Sequence, residues 1–448
     1  MKDKVKMVLT ALSITLAGFT NAQNTRPISL NEAIDLSIKN SKQLKINKAK
    51  VEQASAVVTQ AIQRRLPDAS VTGAYIYLSN PVVNLKSKSN SGTGGSSGGG
   101  SGMPKINQAA YGILNASLPL FAGGRIRYGI ESSKYLAQAE ELDAENNKED
   151  VIENTIEAYI NLYKAGAAVQ LYDTNLVQAR LRVKDLANLE KNGLLPRNDL
   201  LKAQLQESNV ELALLDARNN LELANVNMDL MLGLPENTSL VPDTSVINGK
   251  FAVGTLDDYV QSAIKNRKDI EALGLRKQAA DVGVKAIKGE MFPSVALTGG
   301  YIAADVPGFL SIANAANVGV GVKYDIGSLW KNKAKVQEAE AKSKQLVATQ
   351  ELVNDNVRLQ VNKAYLNWIS SQKKIEVYAK AIEQSDENFR IVGNKYTNGL
   401  ATVTDVLEAD VAQLQSHLSY SLAKADAVLA YNQLLQAAGQ LSQQQQTK

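Results

Sequence analysis

The side chains best placed for chemistry are two carboxylates near the C-terminal end of the chain. Asp405 and Glu408 are three positions apart, so they share one face of a helix. Carboxylates scattered along the chain could in principle form an acid pair, but no pocket-building fold accompanies them, and an acidic helix face can also line a constriction. A solvated acidic face is the plainer alternative. The role of Asp405 and Glu408 therefore depends on the helices and strands that position them.

Other catalytic chemistry has few residues to work with. The chain contains one histidine, His417, and no cysteine, so a histidine-based triad would have to centre on His417. A His-rich metal site is excluded by the same count. Gly123–Gly124 lacks the phosphate-loop pattern. We therefore interpret His417 as a surface or packing residue and predict no enzyme activity and no cofactor. A secreted hydrolase is a distant alternative.

The composition favours long packed helices over a large mixed core. Aromatic residues make up only 5% of the chain, whereas Ala, Leu, Gln, Asn, Glu and Lys dominate it. There are 49 basic and 45 acidic residues, for a formal net charge of +4. A balance so close to neutral gives no case for a nucleic-acid partner.

Residues 1–22 have the pattern of a cleaved signal peptide. Lys2, Lys4 and Lys6 precede an apolar run over residues 7–19, and Ala22 is the small residue that a signal peptidase prefers. The run is shorter than the roughly 20 apolar residues that span a bilayer, so a transmembrane anchor is the weaker alternative. The sequence therefore predicts a secreted chain that starts near residue 23.

The mature chain is a tandem duplication. Residues 29–76 align with residues 255–302 without a gap, and 12 of the 48 positions are identical. A second match places Asn-Gly-Leu at 192–194 over Asn-Gly-Leu at 398–400. We predict a first structural repeat over residues 23–250 and a second over residues 251–448. A period of about 200 residues is too long for a solenoid.

Each repeat begins with a helix that ends before a proline. Ser29 and Thr255 are hydroxyl N-caps followed three residues later by an acid, and Ser29 with Glu32 predicts a full capping box. Pro67 and Pro293 stop the helices, because proline lacks an amide hydrogen and disfavours a helical residue before it. We expect one helix from each cap, running to about Arg65 in the first repeat and to about Met291 in the second.

The residues after each proline alternate in polarity with a period of two. Val295, Leu297 and Tyr301 form an apolar face, and small or polar residues lie between them. Strands of about ten residues are long enough to cross a bilayer when tilted. We predict one strand pair in each repeat, at residues 69–78 and 111–121 and at residues 294–303 and 317–326.

The links within the two strand pairs differ in composition. Residues 79–108 are rich in glycine and serine, which predicts a solvated, mobile external loop rather than a structured binding loop. Residues 305–316 form a shorter link that contains Pro307–Gly308.

Very long helices follow each strand pair. The stretches 125–191 and 329–396 contain no proline, and about 66 helical residues extend roughly 100 Å. Tips at residues 192–198 and 398–404 turn the chain back into helices that end near Leu232 and Ala438. Helices of this length must pack along one another as coiled coils or as a helical barrel.

The strands require an assembly. Four strands with a lipid-like apolar face cannot close a barrel, and an open sheet edge in lipid leaves backbone amides without partners. Three copies would supply twelve strands. We predict a mixed, mainly α fold with membrane β-structure, in which the duplicated repeats form a trimeric 12-stranded β-barrel continued by a helical tunnel. A soluble periplasmic coiled-coil interaction or adaptor protein is the main alternative.

The chain resembles the TolC-type outer-membrane efflux ducts. The resemblance runs from Ile28–Ala33 through Leu118–Gly124 to both Asn-Gly-Leu tips, and it rests on the order of these segments and on the duplication. It implies a homotrimer in outer-membrane lipid with a long periplasmic helical extension. Such a duct works with a periplasmic adaptor and an inner-membrane pump of the RND or ABC type, and it passively conducts efflux or type I secretion cargo to the exterior.

The resemblance assigns adaptor docking to the tips. It carries this role to Gly193, Leu194, Gly399 and Leu400. A glycine that takes positive φ in a tight turn is the structural alternative for Gly193 and Gly399.

The resemblance also implies a pore gate near the second tip. Asp405 and Glu408 match the acidic rings of the family's periplasmic mouth, where six carboxylates in a trimer would attract cations. Asp199 and Tyr396 match partners in a hydrogen bond that holds the mouth closed. Ala401 stands where the family pattern has arginine, which predicts a weaker latch. Arg197 in the first tip is a candidate to compensate.

Overall fold

The structure is a computed structural model that describes residues 25–79, 107–249, 251 and 253–442. The predicted signal peptide and nearly all of the glycine- and serine-rich link lie outside these residues. In the first repeat the elements are β1 (Thr25–Ile28), α1 (Leu30–Asn40), α2 (Lys42–Gln63), β2 (Asp68–Tyr77), β3 (Gln108–Ala122), α3 (Arg125–Lys191), α4 (Arg197–Leu232), β4 (Ser239–Pro242) and a 3₁₀ turn (Thr244–Asn248). In the second repeat they are α5 (Leu256–Asn266), α6 (Lys268–Lys288), a 3₁₀ turn (Gly289–Met291), β5 (Ser294–Val306), β6 (Leu310–Lys323), α7 (Ser328–Thr397) and α8 (Val403–Ala437).

The chain divides into two compact units, each of which draws on both repeats. The helical unit comprises Met1–Lys50, Glu141–Glu271 and Glu351–Lys448, and the sheet unit comprises Val51–Glu140 and Ala272–Gln350. No helix in the described residues is both long enough and apolar enough to cross a bilayer.

The predicted helix starts are present, but only one capping box is complete. Thr255 and Asp258 form both reciprocal hydrogen bonds. At the first start, the Ser29 hydroxyl accepts a hydrogen bond from the backbone amide of Glu32, but the Glu32 carboxylate pairs with Arg26. The full box predicted there is therefore wrong, because the guanidinium competes for the carboxylate that would have closed it.

The prediction of one unbroken helix before each proline is also wrong. The chain breaks at Ser41 and at Arg267, where ψ is 120° and 125°. The Ser41 hydroxyl accepts from the backbone amide of Leu44 and so starts the next helix. Each break packs against a glycine that ends the last helix of its own repeat: an added Cβ on Gly233 would meet Asn40, and one on Gly439 would meet Arg267. Tertiary packing thus divides these helices.

The core of the helical unit surrounds a buried tyrosine. Tyr159 is fully buried, and its hydroxyl donates to the backbone carbonyl oxygens of Ile28 (3.0 Å) and Asp243 (3.1 Å). Burial raises the pKa of Tyr159 to about 12. These bonds tie α3 to the parallel strand pair β1–β4.

The sheet unit contains the predicted strand pairs in one antiparallel sheet with the order β2-β3-β5-β6. Leu118, Leu297 and Val320 lie opposite one another across three strands, so the apolar faces coincide as the alternation predicted. This face is open, because Val71 is 79% exposed and Val318 is 83% exposed. An apolar sheet face of this kind needs a lipid-like surrounding.

The second strand pair is longer than predicted. β6 begins at Leu310 and ends at Lys323, so the predicted boundaries 317 and 326 are wrong, and the link shrinks to a turn at residues 307–309. The pairing is irregular between Ile302 and Ala304, and Asn314 on β6 has φ of 58°. This bulge shifts the alternation of side chains, which hides the first half of β6 from a period-two pattern.

Candidate functional site: the two helix tips

The two tip turns have the same backbone geometry. Gly193 and Gly399 both have φ of 72°, which strains a residue with a Cβ. In the first turn Leu194 donates its backbone amide to the carbonyl oxygen of Leu189 at 2.9 Å, and in the second Leu400 donates to that of Lys395 at 2.8 Å. Each turn is therefore a Schellman motif that ends a long helix.

The leucine after each glycine is exposed. Leu194 is 73% exposed and Leu400 is 77% exposed. In a Schellman motif the residue at this position commonly packs back onto the helix, which these two leucines do not do to any large extent. A large apolar side chain presented at a tip suits a contact with another protein.

A small core joins the two tips. Leu186, Leu200, Ala203 and Val403 are buried in one cluster, and Tyr396 packs against it. The members come from α3, α4, α7 and α8, so both tips share one apolar support. Of the predicted docking and gate residues, Tyr396 is the one that packs against this cluster.

Asp405 caps the second returning helix. Its carboxylate accepts from the backbone amide of Thr402 at 2.7 Å and from the hydroxyl of Thr402 at 2.8 Å. These hydrogen bonds lower the pKa of Asp405. Asp405 and Glu408 are both exposed, so they form the acidic face that their spacing predicted. The capping role of Asp405 was missed, although Thr402 with Asp405 has the sequence of a capping box.

The hydrogen bond expected between Tyr396 and Asp199 is not formed. Asp199 accepts instead from Asn198 at 3.1 Å and from Lys202 at 3.4 Å. Burial raises the pKa of Tyr396, and the charge of Asp199 adds to the effect, so the two groups are still close enough to interact. The direct link between the tips is made by Lys202, whose ammonium group donates to the Thr404 hydroxyl at 2.9 Å.

Arg197 does not compensate for the arginine that the family pattern has at the position of Ala401. Its guanidinium lies 3.4 Å from the carboxylate of Glu190, which belongs to its own tip. Both groups lie near the surface, and Arg197 is 75% exposed, so this pair adds little stability.

The sequence did not indicate one buried ion pair above the tips. Asp410 is 2% exposed and meets Arg182 at 2.9 and 3.4 Å through two nitrogen–oxygen contacts. The Arg182 guanidinium also lies 5.8 Å from the ring centre of Phe389. The sequence does contain a signal for the burial of Asp410. This residue falls seven residues after Val403 and four after Val406, on the buried side of α8.

His417 has a packing role. It lies 2.9 Å from the carboxylate of Asp386, which also accepts from Gln413 at 2.8 Å. The pair joins α7 to α8 and agrees with the interpretation of His417 as a surface or packing residue.

An open apolar sheet, two very long helices and exposed apolar tips together define an outer-membrane channel with a long periplasmic helical extension. The chain belongs to the outer membrane efflux protein family, whose sequence model matches residues 33–234 and 259–440. The resemblance to TolC-type ducts is confirmed. Members of this family are channels and not enzymes, which sets aside both the secreted hydrolase and the soluble adaptor. They work with adaptor proteins and inner-membrane pumps.

Individual relatives agree with this assignment. The chain is 22% identical over 329 residues to the outer membrane efflux protein BepC of Brucella suis, which covers 73% of this chain and 71% of the relative. Its fold is similar to that of VceC from Vibrio cholerae, with a TM-score of 0.74, 19% identity and coverage of 92% and 96%. It is also similar to the open state of the MtrE channel of Neisseria gonorrhoeae, with a TM-score of 0.70, 19% identity and coverage of 92% and 89%.

Proposed function

We propose that this chain is the outer-membrane exit duct of a tripartite efflux system or a type I secretion system. It conducts cargo passively from an inner-membrane pump and a periplasmic adaptor to the exterior. The observation that carries the proposal is the four-stranded sheet with an exposed apolar face, combined with two tips that expose leucine at matching positions.

The sheet supports a homotrimer. Its outer strands β2 and β6 each pair on one side only among the described residues, so each leaves a row of backbone amides and carbonyls without partners. Such an edge is unfavourable in lipid, where no water can satisfy it. Three copies that pair β2 of one with β6 of the next supply twelve strands and leave no edge.

The tips dock the adaptor in this proposal. A photo-reactive amino acid in place of Leu194 or Leu400 is expected to capture one periplasmic protein in cells, identified by mass spectrometry. Leu212 is the matched control, because it is 60% exposed on α4 but lies outside the tips. An adaptor of a small-molecule pump or of a secretion ATPase would name the system as RND-type or ABC-type. Capture from Leu212 but not from the tips would remove the docking role.

The acidic face of α8 acts as the cation-selective gate. Glu408→Gln with Asp405→Asn is expected to lower the ratio of potassium to chloride permeability in planar bilayers by roughly two- to tenfold, because six carboxylates leave the mouth of a trimer. The Asp405→Asn change keeps an oxygen acceptor for the Thr402 cap, so the helix start is preserved. Asp216→Asn, which removes an exposed carboxylate from α4, is expected to leave the ratio unchanged. Equal permeability ratios in the wild type, the double variant and Asp216→Asn would exclude Asp405 and Glu408 from the pore.

A further inference from the structure

A cavity of about 690 Å³ lies in the sheet unit where β3 and β5 meet the helices. Its walls come from α2, α3, α6, the 3₁₀ turn after α6 and the ends of the two strands. The volume is in the range of small-molecule sites in proteins. None of the residues assigned to docking or to the gate lines it.

The cavity carries uncompensated positive charge. Arg64 and Arg125 line it, and in the described part of the chain neither guanidinium has a carboxylate within 4.0 Å. Arg125 donates through Nε to the backbone carbonyl oxygen of Ala122 at 3.1 Å, which leaves its two terminal nitrogens free of that bond. The one acid in the lining, Glu290, is held by Lys335 at 2.7 Å. The charge of Glu290 is therefore already balanced.

The rest of the lining is largely apolar. Val57, Ile126 and Ile287 come from three different helices and surround the two arginines. Ser294 and Ala296 border the cavity from the small-residue face of β5, and Val295 borders it from the apolar face. The cavity therefore lies at the end of the strand, where both faces of the sheet contribute to it.

Two segments of the cavity wall are in close backbone contact. The backbones of Gly123 and Gly289 are so close that a Cβ on either residue would lie under 3.0 Å from the carbonyl oxygen of the other. This contact places the start of α3, which carries Arg125, against the 3₁₀ turn after α6, which carries Glu290.

The start of α3 adds to the positive potential. The first turn of α3 contains no acid, as in α2 and α7, whereas α1 and α8 carry one there and α5 carries two. Acids are favoured at this end of a helix because its free backbone amides attract negative charge. Arg125 occupies the first position of α3 instead.

We propose that this cavity binds an anionic amphiphile as it passes through the duct. Arg64 and Arg125 bind its carboxylate or other oxyanion group, and the apolar side chains of the three helices contact its hydrocarbon part. The assignment rests on the proposed function, because a ligand of this cavity is cargo only if the chain forms a duct. It names anionic amphiphiles as a cargo class that this end of the duct recognises.

Octanoate is a suitable probe, and octylammonium is its cationic counterpart with a similar chain. Isothermal titration of the purified detergent-solubilised protein, with protein-free micelles subtracted, is expected to show saturable binding of octanoate only. Arg64→Ala with Arg125→Ala should weaken that binding at least about tenfold, because two charge-assisted hydrogen bonds are lost. Arg127→Ala is the matched control, since it removes an exposed arginine of the same helix turn that does not line the cavity.

Measurements of octanoate binding and of ion conduction distinguish the proposal for the cavity from the proposal for the duct. An octanoate affinity that is unchanged in the double variant, no saturable octanoate binding, or equal binding of octylammonium would overturn the subsite, whether or not the protein conducts ions. A protein that binds octanoate through both arginines but forms no conducting channel in bilayers would keep the site and contradict the duct.

Discussion

An Asp410→Ala variant is expected to lose about 3 to 5 kcal/mol of unfolding free energy in the helical unit. Asp410 is 2% exposed and Arg182 is 18% exposed, so the substitution leaves a guanidinium in a largely dry site without its counterion. The remaining contact with the Phe389 ring, at 5.8 Å, is too weak to replace it. Denaturant unfolding followed by far-ultraviolet circular dichroism measures the loss.

Two further variants separate the buried charge from simple loss of packing. Asp410→Asn keeps the shape and an oxygen acceptor, so its loss should be intermediate. Arg182→Leu with Asp410→Leu removes both charges and should regain much of the lost stability, because an apolar pair needs no desolvation of ions. A loss of under about 1 kcal/mol in Asp410→Ala, or a double variant as unstable as the single one, would show that the pair is not effectively buried.

The position of this ion pair gives it a second consequence. Arg182 lies on α3, Asp410 on α8 and Phe389 on α7, just above the core that joins the tips. Loss of the pair is therefore expected to loosen both tips together. Photo-crosslinking from Leu194 and Leu400 should fall in parallel in Asp410→Ala if the tips need this support to dock the adaptor.

A Gly289→Ala variant is expected to lower the unfolding free energy of the sheet unit by about 3 kcal/mol. The added Cβ would meet the backbone carbonyl oxygen of Gly123 at under 3.0 Å, and a backbone atom cannot turn aside as a flexible side chain can. The end of α6 or the start of α3 must therefore shift. Thermal unfolding of the purified protein, with the yield of folded protein in the outer membrane, measures the effect.

Gly283→Ala is the matched control for this prediction. Gly283 lies in α6, which directly precedes the 3₁₀ turn of Gly289, and nothing is within 4 Å of the position of its added Cβ. Alanine there should leave stability unchanged or raise it by about 0.5 to 1 kcal/mol, because glycine is the weaker helix former. Octanoate binding should also fall in Gly289→Ala, since Arg125 is carried by the displaced segment. Stability equal to the wild type would mean that the two backbones can separate at little cost.

Several features of the site followed directly from local sequence. Gly193 and Gly399 take the positive φ that a tight helix turn needs, and the exposed face that Asp405 and Glu408 share follows from their spacing of three. The strand faces also followed, because Val295 and Leu297 alternate with small residues at a period that local chain geometry sets. These properties depend on a few neighbouring residues.

Other features needed the tertiary structure. The breaks at Ser41 and Arg267 are set by packing against Gly233 and Gly439, which lie far along the chain. The first half of β6 was missed because the bulge at Asn314 changes the phase of its alternation. Contacts between residues that lie far apart in the chain leave no pattern in the local sequence.

The sequence by itself determined the duplication, the long helices, the apolar strand faces and the glycine turns of the tips, since periodicity and turn chemistry act over short stretches of chain. Only the tertiary structure decided which charges meet. It paired Asp410 with Arg182, which is 228 residues away, and placed Arg64 and Arg125 together in one cavity. The physical reason is that such pairings depend on the register between helices, which is fixed by the packing of many side chains at once.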